Sequence, residues 1–349
     1  YKLSKIFNFG GSMKKFTYFM IAFCIGITVL LTGCSCSSKK NVIRVNEVTH
    51  SIFYAPMYVA MNEGYFEEEN IKIELTNGGG SNVSMTALLS GSADIGLMGP
   101  ETAVYVAAQG KKDLPKVFGQ LTKRDGSFLI GRSPNENFKW SDLEGTEIIA
   151  GRRGGMPAMA LEYALKKNGL VDGENVTLRY DIEFNNTTTA FQGGTGDYVT
   201  AFEPAASQLV AAGNAYVVAS VGEESGEVPF TCFMANESYI NKNKDRVKAF
   251  LRAVMKGYNF IMTADVEDVI DALVPSFDTS SRQELKNCIE SYKGIDAWVS
   301  SPAMTEDAYN RLITIMTDAG ELEQNVPFST IVDNTIANEV MAELKNKTF

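Results

Sequence analysis

The residues best suited to chemistry lie where an apolar run gives way to glycine, proline or a polar pair. His50-Ser51-Ile52-Phe53-Tyr54 offers an imidazole and two rings that stack on a planar ligand or pack against the next helix. Gly78-Gly79-Gly80-Ser81-Asn82 allows close backbone approach and then opens a helix, so Ser81 and Asn82 serve as ligand contacts or as plain caps. Free N–H groups at such a helix start suit an anion or a carbonyl. No lysine follows the glycines, so this is no phosphate loop. Gly99-Pro100-Glu101-Thr102 puts an acid and a hydroxyl at another helix start; the dipole stabilises the acid there in any case, and as a ligand contact Glu101 would suit an amine or amidine. Arg152-Arg153-Gly154-Gly155-Met156-Pro157 sets two cations beside a glycine-rich helix start, a clamp for a carboxylate or sulfonate. The arginines can equally face solvent, which leaves Gly155 and Met156 as backbone contacts. Phe202 and Glu203, before Pro204, end a strand, and Asp125, Ser127 and Phe128 sit where the chain crosses between halves. The inventory is mixed in sign: arginines and helix starts favour an anion, while Glu101, Glu203 and the aromatic residues favour a cationic or heteroaromatic ligand. No nucleophile–base pair and no metal set falls at a strand end, so no catalytic residue, metal or cofactor is expected.

These segments acquire meaning from the elements between them. Val42 to Val48 reads as a strand, Pro56 to Glu63 as a helix closed by Gly64, and Ile71 to Leu75 as a half-buried strand. Val83 to Leu89 is helical, Asp94 to Met98 a short buried strand, Glu101 to Gln109 a helix and Val117 to Leu121 a strand. Such alternation predicts an α/β fold with a doubly wound sheet, whose ligands lie at strand-to-helix loops. The pattern restarts at Thr146 and runs through strands at Val176–Ile182, Tyr198–Phe202 and Tyr216–Val221, with helices between, which predicts a second lobe of the same architecture. Phe230 to Ala235 is one more strand-like run. Beyond it the chain reads as helices, packing back on the first lobe. The expected lobes are therefore 42–125 with 233–349, and 126–232. A two-strand hinge is expected near Asp125–Arg132 and Pro229–Met234.

The N-terminus stands apart. Met13-Lys14-Lys15 is a basic start, Phe16 to Leu31 is almost wholly apolar, and Leu31-Thr32-Gly33-Cys34 closes the run with small residues. That is a signal-peptide layout, short for a membrane span. Leu31-Thr32-Gly33-Cys34 resembles the bacterial lipobox, which implies cleavage before Cys34, lipidation of its thiol and a tether over 34–41. Residues 1–12 have no place in this layout, so Met13 is the expected start. Loss of residues 1–33 removes Lys2, Lys5, Lys14 and Lys15 and no acid, taking the net charge from −10 to about −14. An acidic chain lacks the basic footprint that nucleic acid requires. Of 5 cysteines, Cys232 and Cys288 lie in apolar contexts and are expected as buried free thiols, and the single histidine, His50, excludes a His-rich zinc site.

Taken in order, the motifs resemble one family. Ala60-Met61-Asn62-Glu63-Gly64-Tyr65-Phe66, Ala87-Leu88-Leu89-Ser90-Gly91-Ser92-Ala93-Asp94-Ile95-Gly96, Trp140-Ser141-Asp142-Leu143-Glu144-Gly145 and Glu203-Pro204 are similar to the signatures of solute-binding proteins of nitrate/sulfonate/taurine and thiamine-pyrimidine-precursor ABC importers. Thr146 stands where that family usually has lysine. With the lipobox, the resemblance spans the mature chain. It implies a two-lobed, hinged periplasmic-binding-protein fold of type II. It also implies a monomeric receptor, lipid-anchored at the outer face of the cell membrane, that hands a small solute to a permease and its ATPase. The solute would be a sulfonate-like anion or a pyrimidine-type precursor, held by His50, Phe53, Tyr54, Ser81, Asn82, Glu101, Thr102, Asp125, Phe128, Gly155, Met156, Phe202 and Glu203. A related enzymatic branch makes the thiamine pyrimidine with a cysteine-rich motif. This chain has no cysteine cluster and an export layout, so that reading is the alternative.

Overall fold

The computed structural model describes residues 41–346. The expected signal segment, the Cys34 lipidation site and tether residues 34–40 lie outside the described residues. In chain order the elements are β1 (Val42–Glu47), α1 (Ala55–Asn62), α2 (Tyr65–Glu68), β2 (Lys72–Asn77), α3 (Ser81–Leu89), β3 (Ile95–Met98), α4 (Glu101–Ala108) and β4 (Pro115–Thr122). They continue with β5 (Ser127–Gly131), β6 (Glu147–Ile149), α5 (Met156–Lys167), β7 (Thr177–Arg179), α6 (Thr187–Gln192), β8 (Tyr198–Phe202), α7 (Ala205–Ala211), β9 (Tyr216–Ser220), α8 (Val221–Ser225) and β10 (Thr231–Asn236). After β10 the described residues add helices: α9 (Glu237–Lys242), α10 (Lys244–Thr263), α11 (Val266–Leu273), α12 (Arg282–Gly294), α13 (Glu306–Asp318), α14 (Phe328–Ile331) and α15 (Thr335–Asn346). None of the described helices is long and apolar enough to cross a membrane.

Two 5-stranded sheets organise two lobes, in the orders β2-β1-β3-β10-β4 and β7-β6-β8-β5-β9. β1 and β3 are parallel, as are β6 with β7 and with β8. One strand in each sheet runs against its neighbours: β10 is antiparallel to β3 and β4, and β5 to β8 and β9. The sheets are mixed because each takes in the strand that has just crossed from the other. Every residue of β3 is buried, which is why its apolar run shows no alternation.

α10 shows the stripe read from its sequence, with Val247, Phe250, Leu251 and Val254 buried. It packs directly on α1. A Cβ at Gly257 would fall 2.1 Å from the Pro56 carbonyl oxygen, so only glycine permits this approach. The C-terminal helices do not all stay on the first lobe: α12 touches α7 and α13 touches α5.

The segments joining the sheets lie slightly before the expected ones. Val228 N–H donates to the Lys123 carbonyl (2.9 Å) and Phe230 N–H to that of Thr122 (3.2 Å). Ser127–Gly131 and Thr231–Asn236 themselves belong to opposite sheets. A third segment joins the crossing, because Lys123 N–H donates to Ala297 O (2.8 Å) and Val299 N–H to Leu121 O (3.1 Å). Nothing in the local sequence marks Ala297–Val299 as extended, since it is a short link between two helices.

Candidate functional site

Loops from both lobes and from the crossing enclose a chamber of about 60 Å³. The first lobe contributes Tyr54 and the starts of its loops at Gly79–Asn82 and Gly99; the second contributes Arg152, Gly155–Pro157, Phe184 and Phe202; the crossing contributes Phe230 and Thr231. Gly79 takes a left-handed φ of +74°, a turn that Asn77 fixes by accepting the Gly79 N–H at 2.8 Å. The turn delivers Gly80 as the N-cap of α3, and Gly155 does the same for α5. Two helix starts therefore reach the chamber from opposite lobes, and their N–H groups favour negative charge.

Of the residues proposed from sequence, Tyr54, Ser81, Asn82, Gly155, Met156 and Phe202 line the chamber. Phe53 lies behind it, fully buried, with ring centroids 5.6 Å from Phe202, 5.9 Å from Phe230 and 5.0 Å from Tyr292. His50 and Glu203 line a neighbouring cavity instead. The His50 ring is held by Glu47 (3.1 Å) and donates from Nε2 to Ser276 O (2.7 Å), and the hydrogen bond to Glu47, helped by that to Ser276, raises the imidazole pKa against the opposing effect of burial. The Glu203 backbone ties the lobes together: Ser51 Oγ donates to its carbonyl (2.5 Å) and its N–H donates to Tyr292 OH (2.8 Å). Tyr105 OH adds a further link between lobes by donating to Gly154 O (2.9 Å).

Asp125, Phe128 and Thr102 do not face the chamber. Asp125 is buried at the crossing, where Oδ1 accepts the Ser127 N–H (2.6 Å) and Oδ2 has no hydrogen-bond partner among the described residues; burial pushes its carboxyl up to about 7. Phe128 packs on Tyr292 at 6.2 Å. Thr102 Oγ1 donates to Gly99 O (2.7 Å), an ST turn closing the start of α4.

Glu101 is the notable departure. Its side chain turns back over Gly99, where a Cβ would sit 2.0 Å from a carboxylate oxygen, and it has no exposed surface. Neither oxygen meets a partner with hydrogen-bond geometry among the described residues. Burial pushes its carboxyl up to about 7, although the Arg152 charge and the amides of Glu101, Met156 and Thr102 pull it down. The acid that reads as a ligand contact is thus sealed behind the chamber wall.

The arginine pair resolves into two roles. Arg153 lies 3.8 Å over the Tyr180 ring and pairs with Asp172 (3.6 Å), away from the chamber. Arg152 is half-buried in the chamber wall and makes no ion pair among the described residues; its guanidinium donates only to Arg153 O (3.3 Å). The sequence reading missed Val48, Thr49, Glu183, Phe184, Phe230 and Thr231. Phe184 lies in the loop from β7 to α6, so the strand-to-helix rule applied to the other loops reaches it too; Phe230 and Thr231 lie on the crossing, where no such rule points.

The sequence profile of the NMT1/THI5-like family matches residues 52–267. YtlA of Bacillus subtilis (strain 168), whose name proposes a binding role and gives no ligand, is 40% identical over 323 residues, 92% of this chain and 97% of YtlA. Among solved structures, the alkanesulfonate-binding protein SsuA from Xanthomonas axonopodis pv. citri, bound to MOPS, superposes with a TM-score of 0.67 at 17% identity, covering 85% of this chain and 99% of that one. The periplasmic nitrate-binding protein NrtA from Synechocystis PCC 6803 superposes with a TM-score of 0.71 at 14% identity, covering 88% and 90%. At these identities the two structures establish a shared fold.

Proposed function

The chain belongs to the NMT1/THI5-like family, and on that premise we propose that it is the solute-binding receptor of an ABC importer, closing its lobes on a small organic anion and delivering it to the permease. The single observation that carries the anion is Arg152, a half-buried residue of the chamber wall with no ion-pair partner among the described residues, in a chamber that two helix starts also reach. A guanidinium and convergent N–H groups clamp a sulfonate or carboxylate. Glu101 and Glu203, the acids that argued for a cation, do not line the chamber; the acid that does, Glu183, is exposed to solvent. The rings of Tyr54, Phe184, Phe202 and Phe230 would take the apolar body of the solute. Those same rings favour the second reading, a pyrimidine-type thiamine precursor held by stacking.

The hinge residues and the links between lobes support a closing mechanism, in which ligand shifts an open–closed equilibrium by its differential affinity for the closed state. Binding rather than turnover is supported by relatives that carry binding names. The lipobox-like Leu31–Cys34 supports attachment to the outer face of the cell membrane.

A thermal-shift screen of the full chain tests the reading. Alkanesulfonates, taurine, nitrate, bicarbonate and pyrimidines are compared, and a specific ligand raises the melting temperature with concentration. An organic anion as the strongest ligand is expected; a shift with pyrimidines alone would favour the second reading. A shift with none, together with turnover of a pyrimidine precursor, would overturn the receptor role. Cys34→Ala is expected to release the protein from membranes, and continued retention would refute the anchor.

A further inference from the structure

A second cavity, of about 130 Å³, adjoins the chamber. Phe184 and Phe202, with ring centroids 5.8 Å apart, belong to the walls of both spaces and form the partition. Both rings are half-buried, and Phe184 opens a three-residue turn, Phe184–Asn186. Phe202 is packed on Phe53 and Phe230, so rotation of the Phe184 ring is the motion that would open one space to the other.

The chemistry of this side cavity differs from that of the chamber. Its ionisable groups, His50 and Glu203, are already engaged: both imidazole nitrogens have partners in Glu47 and Ser276, and the Glu203 carboxylate accepts the Ser207 N–H at 2.9 Å. The Ser51 hydroxyl is held by Glu203 O and that of Thr187 by Phe184 O (3.1 Å). What is left unengaged is uncharged: the hydroxyls of Thr49, Thr188 and Thr200, and the Asn185 amide, which make no hydrogen bond among the described residues. Thr200 is only 7% exposed, so its hydroxyl meets whatever enters the cavity rather than bulk solvent. A cavity that presents unengaged neutral donors and acceptors suits a hydroxylated group, whose O–H can also donate to the Glu203 carboxylate.

We propose that this side cavity receives an uncharged, hydroxyl-bearing tail of the solute whose anionic head lies at Arg152, so that the protein selects a two-part organic anion over a bare one. The assignment rests on the organic-anion reading above. Calorimetric titration of the full chain with three sulfonates tests it: taurine, which has no tail; N-cyclohexyltaurine, with an apolar tail; and N-tris(hydroxymethyl)methyltaurine, with a hydroxylated tail of similar size. Two neutral hydrogen bonds of ordinary strength are worth about tenfold in affinity, so the hydroxylated compound is expected to bind about tenfold tighter than taurine. Thr200→Val keeps the shape and removes the hydroxyl; it should take away about threefold of that gain and leave taurine affinity unchanged. Thr188→Val, at a half-buried position, carries the same comparison if Thr200→Val does not fold. Equal affinity for the apolar and hydroxylated tails, or an equal loss for taurine and the hydroxylated compound in both variants, overturns the tail assignment alone. Absence of binding by all three sulfonates overturns the anion reading and this inference with it.

Discussion

Replacing Glu101 with glutamine should stabilise the protein, and only above a defined pH. Glu101 has no exposed surface, its carboxylate oxygens meet no partner of hydrogen-bond geometry among the described residues, and burial raises its carboxyl from 4.5 to about 7. In the unfolded chain the acid ionises near its ordinary value; in the folded chain it resists ionisation. The native state therefore binds more protons between these values, and stability falls as pH rises through that window. At 1.36 kcal/mol for each pKa unit, the ionised group costs about 3 kcal/mol at pH 8. Glutamine matches the shape and neutrality of the protonated acid, so Glu101→Gln recovers about 3 kcal/mol at pH 8 and almost nothing at pH 4. With a melting entropy of about 2 cal/mol/K per residue, that is a rise of about 4–5 °C in Tm. Calorimetric melting of the two proteins across pH 4 to 8 reads the difference directly. A Tm increment that does not change with pH, or a glutamine variant less stable at pH 8, would refute the burial argument.

Other perturbations follow from single contacts. Asp125→Asn should behave like Glu101→Gln, gaining about 4 kcal/mol at pH 8 and little at pH 3, because its carboxyl is pushed from 3.8 up to about 7 and asparagine can still accept the Ser127 N–H; urea melts at the two pH values measure it. Gly257→Ala should destabilise by about 1–3 kcal/mol in the same melts, because the added Cβ meets the Pro56 carbonyl at 2.1 Å. Phe53→Ala should cost about 3–5 kcal/mol by emptying the aromatic cluster between the lobes, read as a loss of Tm in the unliganded protein.

The order of strands and helices is legible in the sequence because the buried strands are short apolar runs and the helices carry clear stripes, as Ile95–Met98 and α10 show. The sense of the crossing strands is not, because β5 and β10 look locally like any other strand and only the chain's return from the opposite lobe makes them antiparallel. The site is half legible. Ser81, Asn82, Gly155 and Met156 follow from glycine-marked helix starts, a feature of backbone geometry that sequence records. Glu101 misleads because its direction depends on Gly99 leaving room for the side chain to fold back. Likewise nothing local separates Arg152 from Arg153; the second is drawn off by Tyr180 and Asp172, which are distant in sequence. The Thr-lined side cavity is invisible for the same reason, since Thr49, Thr188 and Thr200 come from three separate segments.

The central claim is that the chamber between the lobes binds an organic anion through Arg152. Titration calorimetry of the strongest anionic ligand from the solute screen, against the native full chain and Arg152→Ala, tests it most directly. Saturable one-to-one binding to the native protein is predicted. Loss of a charge-assisted contact worth about 1.5–3 kcal/mol weakens binding about 10- to 100-fold in the variant. Equal affinity in the two proteins would contradict the account.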